Sequence, residues 1–343
     1  MTNQTHLLKL KVISILNKIT TKVESWFFKL YCKVVAVSAR NSATLLTFHR
    51  VYESDHFDGQ NFVAKDEFYL KMKLVKQYFT VLSLPELLVC CKENKIPPLA
   101  VTVTVDDGYY DSYSIITPIL ESLNIQGAFF IATEGIDSGL LWNDKIFNAI
   151  KRTKKKQIEN FLNFPCFTII TDNEKKVALQ GIHNKCKYMT LENREKAINE
   201  LVNLLDVDIS GQQFLNAANI AQMHSVGMSI GAHTHQHPIL ALETSESAFR
   251  EISHSKAILE NIINAPVEYF AYPNGKYGVD FDQSHIDMVK QLGFKAALAT
   301  NWGSLRSGDD LFNIPRYTPW DREVFRFGMR LCHHFQKSTK DKN

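Results

Sequence analysis

Two adjacent carboxylates, Asp106 and Asp107, follow the most strand-like stretch of the chain and precede Gly108. Strands disfavour aspartate, and neighbouring carboxylates repel each other, so the pair is unusual at a strand end. Successive side chains of an extended segment point to opposite sides, so one carboxylate can hold a metal ion while the other faces a reacting water. A plain Asp-Asp-Gly turn is the alternative interpretation.

Three histidines lie within G-A-H-T-H-Q-H-P, at His233, His235 and His237. A helical turn would put His233 and His237 on one face, and an extended segment would put all three there. His235 is also compatible with a surface role. One aspartate and two histidines leave coordination positions open for water and substrate, as catalytic zinc sites do. We therefore expect one divalent ion here, Zn²⁺ before Co²⁺, Ni²⁺ or Mn²⁺.

The segments that must position these residues alternate between strand and helix. β-Branched residues at 101–105 predict a strand that ends at the aspartates, followed by a helix near 115–123 and a strand in G-A-F-F-I-A-T. Strand signals return at S-I-G-A-H, V-E-Y-F-A-Y-P-N-G, F-K-A-A-L-A-T and L-F-N-I-P-R-Y. This order predicts an α/β fold, a (β/α) barrel that is distorted or incomplete, with polar residues at the carboxyl ends of its strands.

Composition divides the chain into three parts, the second of which contains an insertion. Residues 1–40 predict an amphipathic helical segment, residues 41–325 the catalytic domain, and residues 326–343 a polar tail. Inside the domain, residues 140–220 are rich in lysine and asparagine and follow helical apolar spacing. They predict a mainly helical insertion that forms part of a substrate cleft.

Lysines interrupt the apolar runs of the first forty residues, which argues against a spanning helix and a signal peptide. We expect a helix docked on the domain's own surface; peripheral membrane attachment through the lysines and Trp26, Phe27 and Phe28 is the alternative. The six cysteines have no paired spacing, which favours a reducing compartment. A cytoplasmic or inner-membrane-surface enzyme is expected, with export as the alternative. A net charge of +3 gives no support for a nucleic-acid partner.

The two motifs together resemble those of the polysaccharide deacetylases of the NodB-homology type, or carbohydrate esterase family 4. T-V-D-D-G at 104–108 is similar to the family's T-F-D-D-G, and H-T-H-Q-H at 233–237 is similar to its H-[ST]-x-x-H. The resemblance covers about residues 43–135 and 220–320. It implies a NodB-like barrel and removal of acetyl groups from an N-acetylated carbohydrate. It also implies a catalytic base and a set of metal ligands, namely Asp106 for the base and Asp107, His233 and His237 for the ligands.

The sequence departs from the family at its R-x-P-Y-G motif, which is F-A-Y-P-N-G here and leaves Ala271 in place of the arginine that orients the base. Arg316, in I-P-R-Y, could supply that charge from another direction, or it is a structural arginine. The turn after Tyr272 could aim a backbone N–H, that of Asn274, at a developing oxyanion. This variant resembles the branch that includes poly-N-acetylglucosamine and exopolysaccharide deacetylases.

The family's late L-x-H motif, whose histidine protonates the leaving amine, is also absent, and His333 and His334 lie in the predicted polar tail. In the poly-N-acetylglucosamine branch this histidine comes from an early Y-H-x-[IV] pattern, which F-H-R-V at 48–51 resembles. We therefore assign His49 as the general acid, because imidazole titrates close to neutral pH. A structural histidine is the alternative.

The remaining candidates concern the substrate. Trp142 of the insertion is a candidate sugar-stacking platform or a core residue, and Tyr109 and Tyr110 are candidates for lining the cleft or packing at its rim. An O-acetyl esterase and a deacetylase of a small glycoside or nucleotide sugar are alternative functions that the residues do not distinguish. A non-catalytic carbohydrate-binding protein is a third alternative, and the intact aspartate and histidine sets argue against it.

Overall fold

The computed structural model describes residues 26–37, 39–53 and 63–337 of the chain. The strands, in chain order, are β1 (Ser42–Phe48), β2 (Val51–Tyr52), β3 (Val63–Ala64), β4 (Thr80–Val81), β5 (Ala100–Val105), β6 (Ala128–Ile131), β7 (Gln157–Phe161), β8 (Phe164–Thr168), β9 (Ser229–Ala232), β10 (Tyr269–Ala271), β11 (Ala296–Leu298) and β12 (Leu305–Arg306). The helices are α1 (26–37), α2 (Lys65–Tyr78), α3 (Leu84–Lys92), α4 (Thr117–Ser122), α5 (Glu134–Ser138), α6 (Trp142–Arg152), α7 (Asp172–Lys187), α8 (Leu191–Leu205), α9 (Ala217–Ser225), α10 (Ser245–Ile263), α11 (Gln283–Gln291) and α12 (Val324–Lys337).

The main sheet has the strand order β11-β10-β9-β6-β5-β1-β12 and is parallel except where β12 pairs with β1. The edge of β5 that faces away from β1 pairs with β4 at its start and with β6 at its end. Every residue of β1 and β5 is buried, as expected for parallel strands that helices cover on the outer face and that line the packed barrel interior on the other. The carboxyl ends of these strands therefore meet at one rim.

A short segment after β12 bridges the gap between β11 and β1. Its Ile314 pairs in parallel with Leu298 of β11, and its Tyr317 pairs in parallel with Leu46 of β1. Arg316 lies between these two contacts. The sheet is therefore curled, and isolated bridges, instead of a full strand, join its two edges into the wall of a barrel. The predicted distorted (β/α) barrel is confirmed.

The insertion is built from α6, α7 and α8 together with an antiparallel hairpin of β7 and β8. Its apolar side chains form a separate core that includes Trp142, Ile182 and Leu201. The hairpin includes part of the F-T-I-I-T stretch that carried the strand signal of this region. A unit with its own core can hold a fixed position beside the barrel.

The two ends of the described chain pack together. Phe28 of α1 is buried against α12, where a Cβ on Gly328 would come within 2.7 Å of its ring. The prediction of a polar tail was wrong for residues 326–337, because Phe327, Leu331 and Phe335 recur at helical spacing and are buried on one face of α12. Residues 338–343 lie outside the described part.

The helix α1 has two apolar faces. Phe28, Cys32 and Val35 face the domain, whereas Trp26 and Val34, among others, are exposed. The first face agrees with a helix docked on the domain's own surface. Because Phe28 is buried there, it is not available to a membrane, and attachment through the lysines, Trp26 and Phe27 stays a prediction. Any further helix expected before Trp26 lies outside the described residues. Of the helices described, none has the length and apolarity that crossing a bilayer requires.

Candidate active site

The backbone turns sharply between the two aspartates. The N–H of Asp106 donates to the carbonyl of Phe48 at 2.9 Å and so continues the pairing of β5 with β1. Asp107 and Gly108 then adopt φ angles of +78° and +96°. A Cβ at Gly108 would approach Ile131 to 2.7 Å, so glycine is required there. The two carboxylates point in different directions because of this left-handed turn, and not because of strand alternation alone.

Asp106 lies inside the barrel and is paired with Arg316. The Nη1 and Nη2 atoms of Arg316 donate to the Oδ1 and Oδ2 atoms of Asp106 at 2.8 and 2.7 Å. The Nε–H of Arg316 donates to the carbonyl of Ala299 at 2.8 Å, which fixes the plane of the guanidinium. Burial alone would raise the pKa of Asp106, but the charge of Arg316, followed by that of His233, lowers it to about 2. The carboxylate is therefore ionised at neutral pH.

Asp107, His233 and His237 form a cluster of metal-binding type. The Oδ1 atom of Asp107 lies 3.7 Å from Nε2 of His233 and 3.5 Å from Nε2 of His237. The candidate ligand atoms all lie within 4.8 Å of one another. Ligands about 2.0–2.1 Å from a tetrahedral zinc ion are separated by roughly 3.4 Å, so this spacing fits one ion.

The hydrogen bond of His233 and the pKa of His237 also fit a metal site. Nδ1 of His233 lies 2.7 Å from the carbonyl of Ala271, so this nitrogen carries the proton and Nε2 is free to bind. Burial, followed by the positive charges of His233 and Arg194, lowers the pKa of His237 well below its usual value. Neutral imidazoles are the form that binds a metal ion.

His235 is turned away from this cluster. Its Nδ1 lies 2.9 Å from Oγ1 of Thr133, and its ring contacts that of His254 edge-to-face. Left-handed backbone angles at Thr234 and His237 separate His235 from its two neighbours. The structure therefore brings together the two histidines expected from either local geometry.

His49 follows β1 at the same rim and is exposed. The charge of His49 is the smallest of the contributions that lower the pKa of Asp106, after those of Arg316 and His233. The next residue, Arg50, donates from Nε to Asp111 at 3.2 Å and lies over the ring of Tyr109. His49 is thus carried by a segment that is itself anchored.

The turn after β10 is held by Thr300. Its N–H donates to the carbonyl of Gly275 at 2.7 Å, and its hydroxyl donates to the carbonyl of Asn274. Asn274 has a φ of +58°. Among the described residues we find no acceptor for the N–H of Asn274. A fixed, unpaired N–H is what an oxyanion hole requires.

Two aromatic candidates, Trp142 and Tyr272, belong to the protein interior. The ring of Trp142 stacks on His183 in the core of the insertion, so it does not offer a face to a sugar. Tyr272 donates from its hydroxyl to the carbonyl of Phe312 at 3.1 Å and stacks on Phe281. Of the two roles left open for Trp142, the structure favours that of a core residue. Tyr272 anchors the turn that carries Asn274.

Tyr109 and Tyr110 differ in exposure. Tyr109 is buried and donates to Oδ1 of Asp144 at 3.2 Å, and burial raises the pKa of Asp144 to about 6. Tyr110 is 45% exposed. Tyr109 therefore packs behind the site, while Tyr110 remains available at the rim.

Two supporting residues were missed by the sequence analysis. Arg194 of α8 donates to backbone carbonyls of the histidine loop, and Glu251 of α10 accepts from its backbone N–H groups. Both lie in amphipathic helices with many other charged residues. No pattern in the sequence distinguishes these two from their solvated neighbours.

A distorted (β/α) barrel with an arginine-paired carboxylate beside an Asp-His-His cluster defines a class of hydrolytic enzyme. The sequence profile described as polysaccharide deacetylase matches residues 93–297, more than half of the chain. The chain therefore belongs to the polysaccharide deacetylase family, hydrolases that act on carbon–nitrogen bonds of acetylated polysaccharides. Members of this family are generally metal-dependent, and the cluster of Asp107, His233 and His237 could hold the ion.

Solved structures share the fold at low sequence identity. The Streptococcus pyogenes deacetylase PplD, in complex with acetate, is 17% identical with a TM-score of 0.56, over 81% of this chain and 92% of that one. IcaB from Ammonifex degensii is 16% identical with a TM-score of 0.55, over 84% and 97%. The polysaccharide deacetylase BC0361 from Bacillus cereus is 17% identical with a TM-score of 0.55, over 85% and 69%. No curated protein matches the chain significantly.

Proposed function

We propose that this protein is a metal-dependent deacetylase that removes acetyl groups from N-acetylated sugars of a polysaccharide or glycoconjugate. The observation that carries the proposal is the position of the Asp107, His233 and His237 cluster directly beside Asp106, which Arg316 keeps ionised. A set of metal ligands next to a poised base is what hydrolysis of an unactivated amide requires.

Asp107, His233 and His237 would hold one divalent ion, with Zn²⁺ as our first choice because two imidazoles and a carboxylate suit it. A bound ion supplies Lewis-acid polarisation of the acetyl carbonyl and a water whose pKa falls toward about 7. The cluster supplies two imidazole nitrogens for this purpose, and the ring of His233 is held by the carbonyl of Ala271.

The chain's own groups then divide the proton transfers. Asp106 accepts the proton of the attacking water, and Arg316 holds the two carboxylate oxygens in place for it. The N–H of Asn274 donates to the oxyanion that develops on the oxygen of the acetyl carbonyl. His49 gives a proton to the departing amine, so that acetate and an amino sugar are released.

The relatives are consistent with this reaction. PplD was solved in complex with acetate, the product that the proposed reaction releases, and BC0361 is described as a polysaccharide deacetylase. The exposed Tyr110 at the rim offers one aromatic face to a sugar ring.

We expect acetate release from N-acetylglucosamine oligomers by the metal-loaded protein and a fall of about 10³-fold or more after chelation, because the water loses its activation. Zn²⁺ or Co²⁺ should restore the rate.

His237→Gln should weaken metal binding, whereas His254→Gln, which alters an exposed histidine on α10, should not. Acetate and metal content are measured together.

The same panel separates the alternatives. Acetate released mainly from acetylated xylan would indicate an O-acetyl esterase, and release mainly from a nucleotide sugar would indicate a small-substrate deacetylase. Binding of the oligomer without metal-dependent acetate release would contradict the proposed function and favour a carbohydrate-binding protein.

His49→Gln should lower kcat on N-acetylglucosamine oligomers by about 10²-fold, because the amine leaves poorly without a proton. The loss should be much smaller on 4-methylumbelliferyl acetate, whose leaving group needs no proton. Rates on both substrates and metal content check this. A variant that loses metal would instead place His49 among the ligands, and equal losses on both substrates would rule it out as the acid.

A further inference from the structure

The histidine loop at 233–237 is fixed through its backbone. From the barrel side, the N–H of Thr133 donates to the carbonyl of Thr234 at 3.2 Å, and the N–H of Glu134 donates to that of His235 at 2.9 Å. These bonds hold the first half of the loop. In the half that carries His237, the N–H of His237 donates to Oγ1 of Thr234 at 3.1 Å, and the other bonds come from neighbouring helices.

Two charged side chains hold the second half. Glu251 of α10 accepts from the N–H groups of His235 and Gln236 at 3.0 and 2.7 Å. Arg194 of α8 donates from Nη2 to the carbonyl of Gln236 at 2.7 Å and from Nη1 to the carbonyl of His237 at 3.2 Å. Arg194 thus connects the insertion directly to a residue of the metal cluster.

His237 needs such support because its backbone is unfavourable in isolation. Its φ is +56°, a region that non-glycine residues seldom occupy, and Thr234 has a φ of +64°. Pro238, which follows, has no N–H with which to continue a regular hydrogen-bond pattern. The guanidinium of Arg194 donates to the carbonyls of Gln236 and His237.

Arg194 is itself held rigidly inside the insertion. It is 3% exposed and lies over the ring of Trp142, which stacks in turn on His183 of α7. Burial lowers the pKa of Arg194 only to about 10, so the guanidinium remains charged at neutral pH. The position of His237 therefore follows the packing of α6, α7 and α8.

We propose that Arg194 is a positioning residue through which the insertion holds the metal ligand His237 and sets the affinity of the metal centre. The inference rests on the proposed function, since it takes His237 as a ligand. It adds a role for the insertion that does not involve contact with a sugar.

The test compares metal binding by full-length Arg194→Met, Arg194→Lys and Arg152→Met with that of the natural sequence. Arg152 is a matched control because it also donates to two backbone carbonyls, those of Asp208 and Ser210 at 3.0 and 2.6 Å, away from the histidine loop. Zn²⁺ affinity is measured by competition with a fluorescent chelator. We expect Arg194→Met to bind Zn²⁺ about 10–100-fold more weakly, the usual effect of losing an outer partner of a ligand.

Arg194→Lys keeps the charge but cannot donate to both carbonyls in one plane, so its affinity should be intermediate. Arg152→Met should stay within about twofold, as expected for a residue that is not an outer partner of a ligand. In metal-free protein, hydrogen exchange of the peptide that contains 233–237 should be faster in Arg194→Met than in the control. These last data do not depend on catalysis.

Equal Zn²⁺ affinity in Arg194→Met, Arg152→Met and the natural protein would overturn the inference and leave the proposed function intact. Failure of the natural protein to bind Zn²⁺ would instead contradict the proposed function. If Arg194→Met folds poorly, the Zn²⁺ affinities of Arg194→Lys and Arg152→Met are compared instead. Equal affinities of these two variants would also overturn the inference.

Discussion

Asp106→Asn should lower kcat for acetate release by about 10²–10⁴-fold, the range for loss of a general base. Asparagine has almost the same size and can still accept one hydrogen bond from Arg316, but it cannot take a proton from water. Because Asp107, His233 and His237 are unchanged, bound metal should stay at the level of the natural protein. Kinetics on N-acetylglucosamine oligomers and metal content measured by mass spectrometry check both halves of this prediction.

A control is needed for the loss of a buried charge. Asp321 is also a buried carboxylate beside an arginine, Arg330, at 3.3 Å. Asp321→Asn should therefore cost stability without removing the base. If Asp106→Asn retained kcat within tenfold with its metal in place, Asp106 would not be the base and Asp107 would have to be reconsidered.

Arg316→Met should lower the free energy of unfolding by about 3–5 kcal/mol at neutral pH, because it leaves the buried carboxylate of Asp106 without its partner. In the natural protein, the pair stabilises the fold above the unfolded-state pKa of about 3.9. That contribution is lost as the pH falls through the folded pKa of about 2. In the variant, burial raises the pKa of Asp106 instead.

The difference in stability between Arg316→Met and the natural protein should therefore shrink from pH 7.5 to pH 5, because only the variant takes up a proton at Asp106. Chemical denaturation at the two pH values measures this. Arg322→Met, at an exposed arginine near the same segment, should change stability little at either pH. A difference independent of pH would show that Arg316 acts through packing alone.

The sequence was sufficient for the parts of the site that depend on local chemistry. Asp106 and Asp107 were found because carboxylates are rare at a strand end, and His233 and His237 because any local geometry keeps them close. The barrel followed from the alternation of strands and helices. The site signals are contained within a few consecutive residues, and each strand or helix signal of the barrel is equally local.

The remaining features depend on contacts between distant parts of the chain. The pairing of Arg316 with Asp106 joins residues that are 210 positions apart. The sequence therefore left a structural arginine open as the alternative. Arg194 and Glu251 carry no local signal at all. The burial of Trp142 depends on the core of the insertion.

The polar tail shows a different limit. Its many polar residues concealed an apolar stripe at helical spacing, which becomes visible only when α12 is placed against α1 and α2. Composition describes a segment as a whole, whereas burial depends on which face of the helix each residue occupies.

The segment that joins β11 to β1 also carries Arg316. If this joint separated in a local opening, the guanidinium would leave Asp106, and the carboxylate would lose the partner that holds its two oxygens in place. A molecule opened only at this joint would keep most of its structure and its metal ligands, yet its base would no longer be oriented. Loss of turnover on mild heating or in low denaturant should therefore precede global unfolding, so that the rate itself reports whether the barrel is closed.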